Sequence, residues 1–146
     1  MAQIHIHDVS FVGSTVSIST PFGDTVITDF MDDANPIEFQ DVEVSTVGVN
    51  CNGCMVRNAK PNAIMASVTV IPGSENDKTL YNIWRRYRVQ GTYEAGWEQG
   101  CSLTVTTRVR TDKYTLGTMV SGPAGMSSNA EGKMQGRTYT FAFCKA

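Results

Sequence analysis

Four cysteines are the residues of this chain best equipped for chemistry: Cys51, Cys54, Cys101 and Cys144. Cys51 and Cys54 form a Cys-x-x-Cys pair, the spacing of half a zinc site or of a redox dithiol. A closed zinc site needs two more ligands at suitable spacing. Cys101 and Cys144 each stand without a neighbouring Cys or His. A thioredoxin-like role needs the pair at a helix start in an α/β chain, whereas this one sits among asparagines and a glycine. Two readings stay open. The cysteines are free thiols, or Cys51, Cys54, Cys101 and Cys144 join neighbouring subunits by disulfides once the protein leaves a reducing compartment.

The other candidates read as surface. His5 and His7 share one side of a strand, because side chains alternate, but no third ligand is evident. Asp29, Asp32 and Asp33 lack the glycine and terminal glutamate of a calcium loop and read as a solvated acidic turn. No serine sits in a nucleophile elbow, and no paired carboxylates stand in a recognisable context. The clustered Arg85, Arg86 and Arg88 suit a solvated helix face or subunit contact better than a phosphate site. The chain therefore reads as no enzyme, with no metal and no cofactor. Its function is expected to come from surface and assembly.

The best-signalled element runs through residues 63–89 as a strand, a break and an amphipathic helix. Ile64, Ala66, Val68 and Val70 alternate, and Pro72-Gly73 ends the strand. Ser74 is an N-cap, and Asp77 three residues on approximates a capping box. Leu80, Ile83, Trp84 and Tyr87 fall at i, i+3, i+4 and i+7 and make one apolar face. Arg85, Arg86 and Arg88 lie mainly off that stripe, near the end where cations are favoured. Gly91 is the expected stop.

Almost everything else reads as β. Residues 4–11 suggest a first strand. Val16 and Ile18 alternate with Ser and Thr, residues 20–24 turn, and 26–30 return. Alternation runs again through 39–49, 103–110 and 114–118. Tyr139, Phe141 and Phe143 alternate in a closing strand expected deep in a sheet. Residues 50–62, NCNGCMVRNAKPN, lack any period and read as an extended loop; residues 91–100 and 121–136 also read as connections. The expected fold is mainly β, an antiparallel two-sheet sandwich or barrel with one flanking α-helix at about 75–89, in a single domain over 1–146.

Composition agrees. The chain has 146 residues, 41% hydrophobic and 18% charged, which excludes a disordered or membrane-spanning chain. The low charge hints at a surface largely covered by partners. A net charge of −2 argues against a dedicated nucleic-acid binder. The N-terminus has neither a basic start nor an apolar run, so no signal peptide is expected, and synthesis in the cytosol is.

In order and spacing these pieces resemble a bacteriophage tail tube protein of the contractile-tail type. The unit from Ala66 to Leu80 carries the likeness: a strand, a short polar break, then a helix opening with Ser, Asn and Asp before leucine. The short first strand, the long loop before the central strand and the aromatic last strand extend it over nearly the whole chain. The resemblance implies hexameric rings that stack into the inner tube of a virion tail. Genomic DNA would pass through the lumen without specific binding. Partners would be further copies of the chain, a sheath protein, and tail terminator and baseplate proteins, with no membrane. The 50–62 loop, with Asn50, Cys51, Asn52, Gly53, Cys54, Met55, Arg57 and Lys60, would reach a neighbouring subunit. Arg85, Arg86 and Arg88 would face outward toward sheath or neighbour. Two alternatives remain: the tube protein of a secretion-like contractile injection system, or a β-sandwich binding module using Tyr93 and Trp97, since Trp84 belongs to the helix stripe.

Overall fold

The structure, a computed structural model, describes residues 10–32, 34–88 and 99–146. The elements in order are β1 (Thr15–Thr20), β2 (Gly23–Ile27), β3 (Ile37–Phe39), β4 (Ser45–Val49), β5 (Met55–Ala59), β6 (Ile64–Val70), α1 (Glu75–Tyr87), β7 (Cys101–Thr106), β8 (Thr111–Ser121) and β9 (Arg137–Lys145). Seven strands form one antiparallel sheet in the order β2-β1-β7-β8-β9-β6-β3, and β4 and β5 form a second. The fold is thus mainly β, with two antiparallel sheets and one flanking helix. Neither sheet closes into a barrel.

Alternation builds the core. Val16 and Ile18, Leu103 and Val105, Ala66, Val68 and Val70, and Tyr139, Phe141 and Phe143 all point to one face of the large sheet and are buried there. The aromatic strand β9 lies between β8 and β6, as its pattern predicts. Leu80 and Ile83 of α1 complete the same cluster, with Trp84 and Tyr87 packed against it. Burying a side chain of this size stabilises by about 1.5–3 kcal/mol, so this one face carries most of the fold's stability.

The helix begins as expected. The Ser74 hydroxyl accepts from the Asp77 amide at 3.3 Å. Asp77 departs from a simple capping box. One oxygen accepts from the Gly73 amide at 2.9 Å, one residue before the cap, and the other turns inward. The side chain is buried because β9 brings Arg137 and Tyr139 against it.

Three sequence expectations are corrected. Residues 50–62 are not an extended loop: β5 pairs with β4 from Ser45↔Ala59 to Val49↔Met55 and makes a hairpin. The run 39–49 is not one strand, because β3 ends at Phe39 and β4 starts at Ser45. The strand expected over 103–110 ends at Thr106, and Thr107 to Arg110 make a turn in which the Thr107 amide donates to the Arg110 carbonyl at 2.9 Å. Residues 4–9, with His5 and His7, lie outside the described residues. So do Asp33, Tyr93 and Trp97.

Candidate functional site

The hairpin β4–β5 is an arm. Its strands grow from the β3–β6 edge pair, which runs from Ile37↔Val68 to Phe39↔Ala66 and is extended when the Gln40 amide donates to Met65 at 3.1 Å. Five residues then separate Phe39 from Ser45, while six separate Ala59 from Ala66. The extra residue on the returning strand, together with Pro61 and its missing N–H, interrupts the ladder and frees the arm from the large sheet. At the arm's base the Lys60 amide donates to Val44 at 2.9 Å, and the Lys60 ammonium pairs with Glu43 at 3.4 Å.

The tip turn comes from Asn50. Its amide donates to Cys54 and its carbonyl accepts from Gly53, both at 3.0 Å, while its side-chain oxygen accepts from the amides of Asn52 and Cys54, also at 3.0 Å. Gly53 holds φ +79°, a left-handed conformation that costs glycine little. The same device recurs at Asn129. Its side-chain oxygen accepts from Glu131 and Lys133 at 3.0 Å, and Gly132 holds φ +85°. That second turn sits in the 121–136 segment, which joins the sheet at Arg137, paired with Val70. The arm joins at the other end, where Ile64 pairs with Phe143. Twin turns thus project from opposite ends of one sheet. Asn52-Gly53 is a recognised hairpin signal that the sequence reading passed over.

No strand residue of the arm is buried. Cross-strand register sets its two faces. Val47, Val49 and Met55 share one face with Arg57 and are 61%, 69% and 71% exposed. Val44 and Val56 lie on the other and are also more than half exposed. A two-stranded hairpin is marginal alone in water, and this one exposes apolar side chains on both of its faces.

The large sheet offers a second surface. Every buried residue of its strands lies on the core face, and short hydroxyl side chains fill the opposite one. Ser17 stands beside Thr104 and Ser19 beside Ser102. Ser67 bonds Thr140 at 3.1 Å, and Thr69 bonds Thr138 at 3.0 Å. Val120 and Leu116 are the exposed apolar residues of β8 on this side, Leu116 with φ +54° where the β7–β8 register shifts.

One side chain covers the end of the sheet's outer edge, at the last residues of β2. Asn76, buried in the first turn of α1, accepts from the amides of Thr28 at 2.8 Å and Asp29 at 3.0 Å. It also donates to the Val26 carbonyl at 2.9 Å. These groups border β2, so Asn76 stands where another strand would pair and blunts that edge.

The remaining sequence candidates fall as follows. Arg85, Arg86 and Arg88 are exposed; Arg86 lies 5.5 Å over the Phe22 ring and Arg88 5.5 Å over Trp84. Cys51 and Cys54 are exposed at the arm tip, and Cys144 is exposed on β9. Cys101 is not a surface thiol. It is buried against the core, and its sulfur lies 2.9 Å from the Tyr87 hydroxyl. Burial pushes its thiol above the ordinary range. The reason is register: Cys101 falls on the core face of β7, in line with Leu103 and Val105. Asp32 pairs with Lys133 at 3.3 Å. Among the described residues no three His, Cys, Asp or Glu side chains gather to hold a metal ion, and no helix is long and apolar enough to cross a membrane.

A search of curated proteins finds no match. The family model described as tail fiber protein gp32 matches residues 7–146, nearly the whole chain, including the arm, both sheets and the helix. The chain belongs to this tail fiber protein gp32 family and is a structural protein of the phage tail.

Proposed function

We propose that within the tail this protein is the subunit of the inner tube. Copies assemble into hexameric rings, the rings stack, and the genome passes through the channel during ejection. The observation that carries the reading is the two-sided sheet. One face holds the core, and the other presents short hydroxyl side chains with few charges. Such a wall suits a channel that must not grip a polyanion. The exposed arm supplies the contact between copies. Because Asn76 blunts the β2 edge, arm-to-body contacts rather than pairing through β2 join the subunits. Arg85, Arg86 and Arg88 face the sheath or a neighbouring copy, and terminator and baseplate proteins close the ends. A tube of a secretion-like injection system would use the same parts.

The family's description as a tail fiber protein favours a second reading, a fibre in which the arms of several copies interlock without a channel. Electron microscopy of the purified protein at rising concentration separates the two. Rings or hollow tubes with a stain-filled centre are expected. Solid threads would favour the fibre, and single molecules at every concentration would overturn self-assembly altogether.

A further inference from the structure

The tip of the arm holds a thiol pair that the tail reading does not use. Asn50 and Cys54 are cross-strand partners, joined when the Asn50 amide donates to the Cys54 carbonyl at 3.0 Å. Cys51 follows Asn50 directly, so it stands one residue from a position opposite Cys54. The Asn50 side chain and Gly53 hold this turn in one shape. Cys51 and Cys54 thus flank Asn52 and Gly53 in a loop closed by these bonds, and a disulfide needs Cα atoms about 4.4–6.8 Å apart, a spacing that residues three apart in a tight turn reach. The two remaining cysteines cannot compete within the chain. Cys101 is buried under Tyr87. Cys144 lies on β9 at the arm's base, and five strand residues at about 3.4 Å each put the tip roughly 17 Å away.

We propose that Cys51 and Cys54 are a dithiol that closes into an intramolecular disulfide across the turn when the protein meets an oxidising environment, and that the bond locks the arm tip. The oxidant is a small-molecule disulfide such as oxidised glutathione. One tip thiolate attacks a glutathione sulfur, forms a mixed disulfide and expels one glutathione thiolate. The second tip thiolate then attacks the protein-bound sulfur and expels the other. Two cysteine protons are released, and the two electrons lost by the cysteines reduce the glutathione disulfide. The turn favours this closure over a bond between chains, because the partner thiol is already held at high effective concentration. The bond requires only the arm's own geometry and holds for tube and fibre alike.

The test uses the full-length protein, first reduced, then exposed to oxidised glutathione under native conditions. Free thiols are counted after denaturation with a maleimide. The four thiols of the reduced chain are expected to fall to two in a protein that still runs as a monomer on a non-reducing gel, with peptide mapping placing the bond between Cys51 and Cys54. Protease cleavage at the tip should slow in the oxidised form. Cys54→Ser alters an exposed side chain and keeps the core intact; it lacks the second thiolate, so its monomer is expected to stop at the mixed disulfide and carry glutathione on Cys51. Retention of all four thiols in the parent protein, their loss only as crosslinked dimers, or a parent tip that keeps glutathione on Cys51 or Cys54 with no internal bond would each overturn the proposal.

Discussion

Arg137, at the start of the last strand, reaches Asp77, in the first turn of the helix, with Nε 3.1 Å from Oδ1 and side chains only 7% and 4% exposed. The Nε–H is not aimed along that line, so the contact is an ion pair by distance without hydrogen-bond geometry, and Nη2 is buried without a hydrogen-bond partner. Tyr139 donates to the same Asp77 oxygen at 2.8 Å. The guanidinium also lies 4.9 Å over the Tyr81 ring and 3.1 Å, through Nη1, from the Met126 sulfur. Helix, last strand and the 121–136 segment are therefore fastened at one point.

Breaking this pair from one side strands a buried charge. Asp77→Ala is expected to cost about 3–5 kcal/mol in urea unfolding. The double change Asp77→Leu with Arg137→Met should cost markedly less than the two single changes summed, because it removes both desolvated charges together. Additive costs would show that the two side chains do not depend on each other.

Asn76→Ala removes the cap on β2 and leaves Thr28, Asp29 and Val26 backbone groups without their partner. A loss of about 2–3 kcal/mol is expected. The uncovered edge should also promote irregular association, read as rising light scattering at concentrations where the parent chain stays clear. Unchanged scattering would mean that Asn76 serves the helix alone.

The arm should be dispensable for folding and essential for assembly. Replacing Val47 and Val49 by lysine changes side chains that touch no core, so the unfolding free energy should stay within about 0.5 kcal/mol of the parent. Sedimentation velocity should then show the loss of rings or larger species. Full assembly by the doubly charged arm would rule it out as the contact between copies.

Alkaline pH should weaken the fold through its buried hydroxyls. Burial first, and then the hydrogen bond to Asp77, raise the Tyr139 hydroxyl well above the ordinary tyrosine range near 10. Burial and the Cys101 contact do the same for Tyr87. The folded chain therefore keeps protons that the unfolded chain releases once pH passes about 10, and stability falls with each further step. Urea midpoints should be flat through neutral pH and decline above that point. Tyr139→Phe should begin from a lower midpoint and decline less steeply.

Much of this molecule was written in local patterns. Ser74 with the stripe Leu80, Ile83, Trp84 and Tyr87 specified the helix, since capping and helical periodicity need only near neighbours. Alternating Tyr139, Phe141 and Phe143 specified a strand buried on one face, and Val16 and Ile18 with the turn after Thr20 specified a hairpin. The arm was legible in part: Asn52-Gly53 marks its turn and Val47 and Val49 alternate before it, but the returning strand Met55–Ala59 has no such period, because neither face of the arm meets the core. Only the tertiary structure decided the rest. Cys101 became a core residue when β7 took the register that aligns it with Leu103. Asp77 became a buried ion when β9 carried Arg137 to it across 60 residues. Asn76 became the cap of an edge formed by β2, about 50 residues earlier. Pairings between residues far apart in the chain depend on strand register and sheet order, which no local spacing encodes.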